Sequence, residues 1–179
     1  DPSRARQAVT QLANLLRYSL QSGQLETVPF EEELRIVNDY LALEQVRHEE
    51  RLRLRLDVDP ATLHLPIPPM LLQTLVENAV KYGISVLPEG GEIAIIARCE
   101  NKCLILQVTN PGELPGSDGI VVGRKSDSTG VGLRNAAERL RLLFGEKAVL
   151  TLRRGEPGQV VAEACIPQLM AKPAELSPV

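Results

Sequence analysis

Hydrophobic residues follow two different spacings along this chain, and the spacings separate helical from extended segments. In some segments apolar positions recur every third or fourth residue, which indicates helices with one buried face. In others they alternate with polar positions, which indicates strands. The predicted helices cover residues 1–21, 30–49, 70–82 and 132–144. The predicted strands cover residues 51–58, 92–99, 103–109, 149–153 and 159–166.

The order of these elements predicts an α+β fold. Two helices come first, followed by a strand, a helix, a strand hairpin, a loop, a further helix and a last pair of strands. A two-layer α/β sandwich, in which a mixed sheet carries helices on one face, accommodates this order. Residues 110–129 contain several glycines and little periodicity, so they predict a mobile loop.

Composition narrows the classes of partner. The chain has 179 residues, of which 44% are hydrophobic, enough for one packed domain with a modest extension. The net charge of −3 argues against a nucleic-acid surface. No stretch of the sequence has the length and apolar character that predict a transmembrane helix. We therefore expect neither nucleic acid nor a membrane to contact this segment directly.

The three cysteines lack the spacing of a metal site, which favours free thiols in a reducing cytoplasm. Cys99 and Cys103 flank a predicted hairpin turn at residues 100–102. We therefore expect these two thiols to face each other across the two strands.

One predicted helix combines a hydrophobic face with a polar stripe. Its apolar positions at helical spacing are Leu72, Leu75, Val76, Ala79 and Val80. They place Thr74, Glu77, Asn78 and Lys81 on the opposite face. Polar side chains gathered on one stripe of an otherwise apolar helix favour a cleft over plain solvent.

A glycine pair opens the last predicted helix. Gly130 and Gly132 leave backbone N–H groups and the positive end of that helix free to face an anion. One glycine pair is a weak indication of an anion site, because it also suits a tight turn without a ligand. The polar stripe and the glycine pair, in this order and with strands between them, are a stronger one.

These two motifs resemble those of a known family. Residues 75–83 resemble the N box of the histidine-kinase ATPase domain, and residues 130–135 resemble its distal glycine box. More narrowly, the chain is similar to the LytS/YehU branch of bacterial sensor histidine kinases, whose helix reads LVENAIKHG. A family segment YLxLExxR matches Tyr40, Leu41, Leu43, Glu44 and Arg47. The resemblance runs from about residue 1 to 168, and it implies the Bergerat ATP-binding fold.

The resemblance also implies a division of the chain. Residues 1–50 correspond to the C-terminal part of the dimerisation and phosphoacceptor region with a linker helix, and residues 51–168 to the ATP-binding catalytic domain. Residues 169–179 are expected to be a disordered tail. In the family the acceptor histidine lies in a PHFLFN segment on a preceding helix, so we expect it upstream of Asp1. His48 sits at the end of a helix and His64 in a loop, and neither is expected to accept phosphate.

Within the N box the resemblance assigns roles to individual residues. Asn78 is the expected Mg²⁺ ligand, because an amide oxygen is a hard, neutral donor. Two interpretations of Glu77 stay open: it orients or deprotonates a water or the attacking imidazole, or it is a solvated helix residue that at most pairs with Lys81 one turn away. Lys81 offers charge to phosphate or sits at the rim, and Tyr82 stands where the branch usually has histidine. Gyrase-like ATPases carry their base at the position of Thr74, so efficient free hydrolysis is not expected.

The remaining site residues come from two glycine motifs and the loop between them. The wider family reads Asp-x-Gly where this chain has Asn110 and Gly112, and the Asn110 carbonyl can still accept a hydrogen bond from the adenine amino group. Residues 110–129 resemble an ATP lid, in which Arg124 or Lys125 would reach phosphate, and an ordinary charged loop is the equally favoured alternative for both residues. The expected phosphate contacts at its end are Thr129, Gly130, Val131, Gly132 and Leu133.

The resemblance implies the catalytic part of a two-component sensor histidine kinase with ATP and Mg²⁺ as ligands. The γ-phosphoryl would pass to a histidine on the upstream helix and then to an aspartate of a cognate response regulator. The parent would be a homodimer bound to the membrane, with this part in the cytoplasm. Two alternatives stay open: another ATPase or Ser kinase of the same fold, or a degenerate interaction module that binds no nucleotide.

Overall fold

The computed structural model describes residues 27–114, 119–123 and 130–168. Within them the helices are α1 (Phe30–His48), α2 (Leu71–Ala79) and α3 (Val131–Phe144). The strands are β1 (Val28–Pro29), β2 (Leu52–Val58), β3 (Pro66–Ile67), β4 (Gly91–Glu100), β5 (Cys103–Pro111), β6 (Ile120–Val121), β7 (Val149–Arg154) and β8 (Gln159–Pro167). The helix predicted over 1–21 and the tail predicted over 169–179 lie outside the described residues.

The main sheet has six strands in the order β2-β4-β5-β8-β7-β6. Only β2 and β4 run parallel, because α2 carries the chain back between them, and the other neighbours are antiparallel. A separate two-stranded antiparallel sheet of β1 and β3 pairs Val28 with Ile67, and so holds the start of α1 next to the segment that enters α2. The prediction of a mixed sheet is confirmed.

The helices cover one face of this sheet, as predicted for a two-layer sandwich. Along β5 the buried positions are every second residue, including Leu104, Leu106 and Val108, while the alternate positions stay half-buried. The inward residues of the strands form one hydrophobic core with the apolar faces of the helices. The helices among the described residues are not long and apolar enough to cross a membrane.

Helix α1 shares this core. Phe30, Val37 and Leu41 are fully buried and belong to the same hydrophobic cluster as the sheet residues. The predicted division at residues 50 and 51 stays a prediction about the parent protein. In the described residues, α1 and the sheet pack as one unit.

Two parts of the predicted loop over 110–129 are strands, so that prediction is wrong there. Asn110 and Pro111 extend β5 and pair with Val160 and Gln159 of β8. Proline lacks an N–H donor, and it is tolerated here because it ends the strand. Residues 120–121 form β6 at the far edge of the sheet. Residues 115–118 and 124–129 lie outside the described part of the chain.

The helix predicted over 70–82 changes its winding near its end. It is α-helical through Ala79 and continues as a π-helical turn over Val80–Ile84. The amide of Ser85 donates to the carbonyl of Val80 at 2.9 Å, which is the wider hydrogen bond of a π turn. Such turns are frequent at functional sites.

The expectation that Cys99 and Cys103 face each other across the two strands is wrong, because Cys103 lies opposite Glu100 instead. The turn between β4 and β5 has only two residues, Asn101 and Lys102, both with positive φ as a tight hairpin requires. Cys99 therefore lies opposite Leu104, and its side chain is on the face of the sheet opposite to that of Cys103. All three cysteines are free thiols, as predicted. Burial and a hydrogen bond with Cys103 raise the pKa of Cys165, on the neighbouring strand β8, to about 11.

The packing of α1 can be tested by truncating one buried side chain. Leu41→Ala removes a fully buried side chain from α1, and we expect it to lower the free energy of unfolding by about 2–5 kcal/mol. Val46→Ala is the matched control, because Val46 lies on the same helix and is 67% exposed. It should change the value by less than about 0.5 kcal/mol. Urea unfolding measures both, and equal effects would mean that α1 is not part of the cooperative core.

Candidate functional site

A cavity of about 410 Å³ lies between α2, the inner face of the sheet and the start of α3. Polar groups and glycines line one part of it, and apolar side chains line the rest. The lining residues are Leu75, Asn78, Ala79, Tyr82, Asn110, Gly112, Glu113, Leu114, Ile120, Gly130, Leu133, Leu152, Val160 and Ala162. Six residues singled out from the sequence therefore meet at one cavity: Asn78, Tyr82, Asn110, Gly112, Gly130 and Leu133.

A second cavity, of about 500 Å³, lies between α3 and β7. Side chains of both charges line it, among them Arg134, Glu138, Arg141 and Glu146. The motifs of the sequence contribute Arg134 and Asn135 to it, but neither the polar stripe nor Asn110 reaches it. This second cavity has lining residues of both charges and lacks the predicted site residues of α2 and β5. The first cavity is therefore the better candidate for the functional site.

The orientation of the Asn78 side chain follows from a backbone contact. Its amide nitrogen donates to the carbonyl of Thr74, one turn earlier in α2, at 2.8 Å. The amide oxygen is therefore the atom that Asn78 leaves for a ligand in the cavity. A neutral amide oxygen suits a hard divalent cation that takes its other ligands from water and phosphate, so the residue fits Mg²⁺.

Asn110 is held in the same way. It is only 8% exposed, and its amide nitrogen donates to the carbonyl of Pro111 at 2.8 Å. The reverse orientation would set two oxygens against each other, so the amide oxygen is the acceptor that Asn110 offers to the cavity. The two asparagines thus present oxygen atoms from two different elements, α2 and β5.

Gly83 permits the contact between these elements. A Cβ atom at this position would lie 2.8 Å from the amide nitrogen of Asn110 and 2.9 Å from the carbonyl oxygen of Pro111. Real Cβ atoms do not approach other atoms so closely, so a larger residue would push the π turn away from β5. Gly83 is the last residue of the N box, and the sequence alone assigned it no role. A glycine at the end of a helix reads equally well as a stop signal.

Glu77, Lys81 and Tyr82 are exposed residues of the helical segment that carries Asn78. Glu77 is exposed and accepts a hydrogen bond from the side-chain amide of Gln73 at 2.8 Å. The ammonium group of Lys81 lies 4.9 Å from the centre of the Tyr82 ring, a cation–π distance. Glu77 and Lys81 do not line the cavity, whereas Tyr82 does. The sequence analysis missed Gln73, because its burial depends on contacts with α1.

The start of α3 completes the cavity. Gly130 precedes the helix in an extended conformation, and Gly130 and Leu133 line the cavity. The first turn of a helix has backbone N–H groups without helical partners, and they are available to an anion. Val131 and Gly132 are exposed, and Gly132 lies next to Thr74 of α2. Arg124, Lys125 and Thr129 lie outside the described residues, and their roles stay predictions.

Gly112 shapes the edge of the cavity where the chain leaves β5. Its φ of 142° is one that residues with side chains rarely adopt. Its amide donates to the carbonyl of Gly158 in the β7–β8 turn at 2.9 Å. This contact joins the expected adenine motif to the last hairpin of the sheet.

The apolar part of the lining was not identified from the sequence. Leu152, Val160 and Ala162 project from β7 and β8 on the same face as Asn110, which pairs directly with Val160. Strand alternation marks these positions as inward-facing. It could not show that they lie beside a cavity rather than in the closed core, because that depends on where the helices stop covering the sheet.

Neither histidine of the chain is among the residues that line this cavity. His48 is 6% exposed at the end of α1, with its Nε2 atom 3.2 Å from the Glu44 carboxylate. His64 is exposed in the loop before β3, with its Nδ1 atom 3.5 Å from Glu31. The expectation that neither accepts phosphate stays a prediction.

Comparison with known proteins gives the same family from three directions. A family model described as histidine kinase matches residues 1–52. The sensor protein LytS of Staphylococcus haemolyticus is 35% identical over 167 residues, 90% of this chain and 29% of that protein. The sensor histidine kinase YpdA of Escherichia coli is 34% identical over 164 residues, 90% of this chain and 28% of that protein. The chain thus spans less than a third of the length of these relatives.

Solved structures share the fold at lower sequence identity. The catalytic domain of histidine kinase ThkA, in a nucleotide-free form, aligns with a TM-score of 0.59 and 19% identity, covering 80% of this chain and 97% of that one. Histidine kinase AdeS of Acinetobacter baumannii aligns with a TM-score of 0.56 and 18% identity, covering 90% of this chain and 77% of that one.

The relatives match both the sheet with its cavity and the helical segment before it. The solved structures carry the same two-layer architecture, as the sequence resemblance implied. The chain belongs to the LytS-type family of sensor histidine kinases and has the fold of their catalytic domain.

Proposed function

We propose that this chain binds ATP with Mg²⁺ in the cavity between α2 and α3, and that its parent protein transfers the γ-phosphoryl group to one of its own histidines. The observation that carries the proposal is the pair of asparagines at one cavity. Asn78 and Asn110 both have the amide nitrogen tied to a backbone carbonyl, so both offer an oxygen atom to a ligand.

The adenine ring of ATP would lie at the end of the cavity that contains Asn110. The amide oxygen of Asn110 can accept a hydrogen bond from the exocyclic amino group of adenine. Guanine carries a carbonyl oxygen at the corresponding position, and two acceptors would repel each other. The apolar side chains of Leu152, Val160 and Ala162 offer a surface for a flat purine ring.

The phosphates would lie at the other end, between Asn78 and the start of α3. When Mg²⁺ is bound there, it neutralises phosphate charge as the phosphoryl group leaves. Asn78 would hold the ion through its amide oxygen. The free N–H groups of the first turn of α3 would bind phosphate oxygens, and we assign the same role to Lys81, Arg124, Lys125 and Thr129.

A threonine at the position where gyrase-like ATPases carry their base favours transfer to a side chain over hydrolysis. The hydroxyl of Thr74 donates to the carbonyl of Met70 at 2.7 Å, and a threonine at this position cannot serve as a carboxylate base for water. Glu77 is exposed on α2, where an imidazole from another part of the parent protein could reach it. We propose that Glu77 orients this imidazole and takes its proton.

The partners of the parent protein follow from this reaction. A crystal structure of ThkA in complex with the response regulator protein TrrA aligns with this chain at a TM-score of 0.55 and 16% identity, covering 90% of this chain and 48% of that one. We propose a cognate response regulator as the final acceptor, and a homodimer formed through the region before β1. The site would then lie in the cytoplasm, where ATP and regulator are available, in a parent bound to the membrane.

The Mg²⁺ role is tested by Asn78→Ala. We expect Mg²⁺ to strengthen binding of a non-hydrolysable ATP analogue to the native chain, and the substitution to remove about tenfold or more of that gain. Asn38→Ala is the matched control, because Asn38 is exposed on α1 away from the cavity. Calorimetry with and without Mg²⁺ measures the difference. A native chain that binds no analogue under either condition would contradict the proposed function and favour a degenerate module.

The adenine role is tested by comparing ATP and GTP analogues. Asn110→Ala should weaken binding of the ATP analogue by about tenfold, because one buried hydrogen bond is lost. The ratio between the affinities for the ATP and GTP analogues should therefore become smaller.

Asn110→Asp restores the residue that is usual in the wider family, but it should not improve binding. The carboxylate would face the Pro111 carbonyl, to which the native amide nitrogen donates. Tighter binding by Asn110→Asp would show that this contact does not orient the native side chain.

The role of Glu77 separates binding from transfer. In the parent protein, Glu77→Gln should slow phosphorylation of the acceptor histidine by about 10²–10⁴-fold and leave the dissociation constant of the ATP analogue unchanged. Glu89→Gln, at an exposed position beyond the π turn, is the control. Transfer of radiolabel from γ-labelled ATP into acid-labile phosphate follows the rate. An unchanged rate would contradict the proposed role of Glu77 in proton transfer and leave the hydrogen bond with Gln73 as its only assigned interaction.

A further inference from the structure

Helix α2 has no cap of its own at its N-terminus. Met70 occupies the cap position with a φ of 65°, and its side chain accepts no hydrogen bond. A carboxylate from another helix supplies the acceptor instead. Glu33 of α1 is fully buried, and its two oxygens accept from the backbone amides of Met70 at 2.7 Å and Gln73 at 3.4 Å.

The other end of the same helical segment is held by a cation. Arg51 lies in the short turn that follows α1. Its guanidinium donates to the carbonyls of Ile84 at 3.2 Å, at the end of the π turn, and of Leu87 at 2.7 Å. A carboxylate thus meets the N-terminal end of the segment and a guanidinium meets the C-terminal end, which is the arrangement that the helix dipole favours.

These contacts show that α1 and α2 run in the same direction side by side. Glu33 lies near the start of α1 and reaches the start of α2, while Arg51 follows α1 and reaches the end of the π turn. Between them, burial raises the pKa of the Tyr40 hydroxyl above its usual range, and the carboxylates of Glu44 and Glu77 raise it further.

The segment before α2 is also held from the opposite side. Arg139 of α3 donates to the carbonyl of Pro69 at 3.0 Å, one residue before Met70. The entry to α2 is thus attached to α1 through Glu33 and to α3 through Arg139. Of the elements joined here, α2 carries Asn78, and α3 begins next to Gly130 at the cavity.

We propose that Glu33 and Arg51 are positioning residues that fix α2, and with it Asn78, at one position along the axis of α1. The inference rests on the proposed function, since it concerns where Asn78 stands relative to α3. A shift of α1 along its axis would pull on α2 at both ends, so α2 moves with α1 rather than sliding past it. Small displacements of a ligand-binding group have large effects on binding and transfer.

The first test uses the chain without any ligand. Glu33→Gln keeps one acceptor for Met70 but sets an amide nitrogen against the amide of Gln73, so the cap loosens without a change of size. We expect the side-chain amide resonances of Asn78 in NMR spectra to shift. Glu32→Gln makes the same chemical change one residue earlier, and it should leave them in place. Equal spectra for the two variants at Asn78 would overturn the proposal.

The second test measures binding of the ATP analogue. Glu33→Gln should weaken binding in the presence of Mg²⁺ by about tenfold and leave binding without Mg²⁺ within about twofold. In the Asn78→Ala background, Glu33→Gln should have no further effect, because the two residues act through the same group. Additive effects of the two substitutions would indicate a general loss of stability and contradict a positioning role.

A variant at the other end guards against misfolding. Arg51→Met keeps an unbranched apolar stem in place of that of arginine and removes both hydrogen bonds, and Arg53→Met on the exposed side of β2 is its control. Arg51→Met should shift the Asn78 resonances and lower the Mg²⁺-dependent affinity, whereas Arg51→Lys should restore part of both. If the native chain binds no nucleotide, the proposed function fails, while the resonances of Asn78 still decide whether Glu33 and Arg51 position it.

Discussion

The close approach of the π turn to β5 is the constraint on which the site depends. Gly83 lies so near the Asn110 side chain and the Pro111 carbonyl that no Cβ fits between them. The π turn widens the end of α2 at this point, and its glycine lets helix and strand meet. This contact brings the end of the helical segment against β5, and Asn78 and Asn110 line the same cavity. A larger residue at 83 would separate the two ends of the proposed nucleotide site.

Hydrogen bonds to backbone carbonyls give the two asparagines a defined polarity. An amide side chain can present either a donor or an acceptor, unlike a carboxylate, which only accepts. Thr74 and Pro111 supply the carbonyls that engage the amide nitrogens, so each side chain presents its oxygen. Under the proposed function, the neighbouring carbonyl would orient the acceptor of Asn110, at the position where the resembled motif has aspartate.

Helix α1 is a structural part of the catalytic fold rather than a separate connection to it. Its apolar face is buried in the common core, and Glu33 and Arg51 at its two ends hold the helix that carries Asn78. A buried carboxylate is costly unless its oxygens are paired, and here backbone amides satisfy it. The packing that stabilises α1 is therefore the same packing that determines where Asn78 stands.

The sequence by itself determined what depends on neighbours in the chain. Helical and alternating spacings predicted α1, α2, α3 and the long strands, and the N box with Gly130 and Asn110 indicated the family and the residues that meet at the cavity. The tertiary structure decided what depends on distant partners: β6, the extension of β5 through Pro111, the turn that separates Cys99 from Cys103, the amide orientations, and the contacts of Glu33 and Arg51 with α2. Periodicity records which face of an element is buried, because burial repeats along it. It does not record which distant backbone group a side chain will meet, because that is settled only when the elements pack.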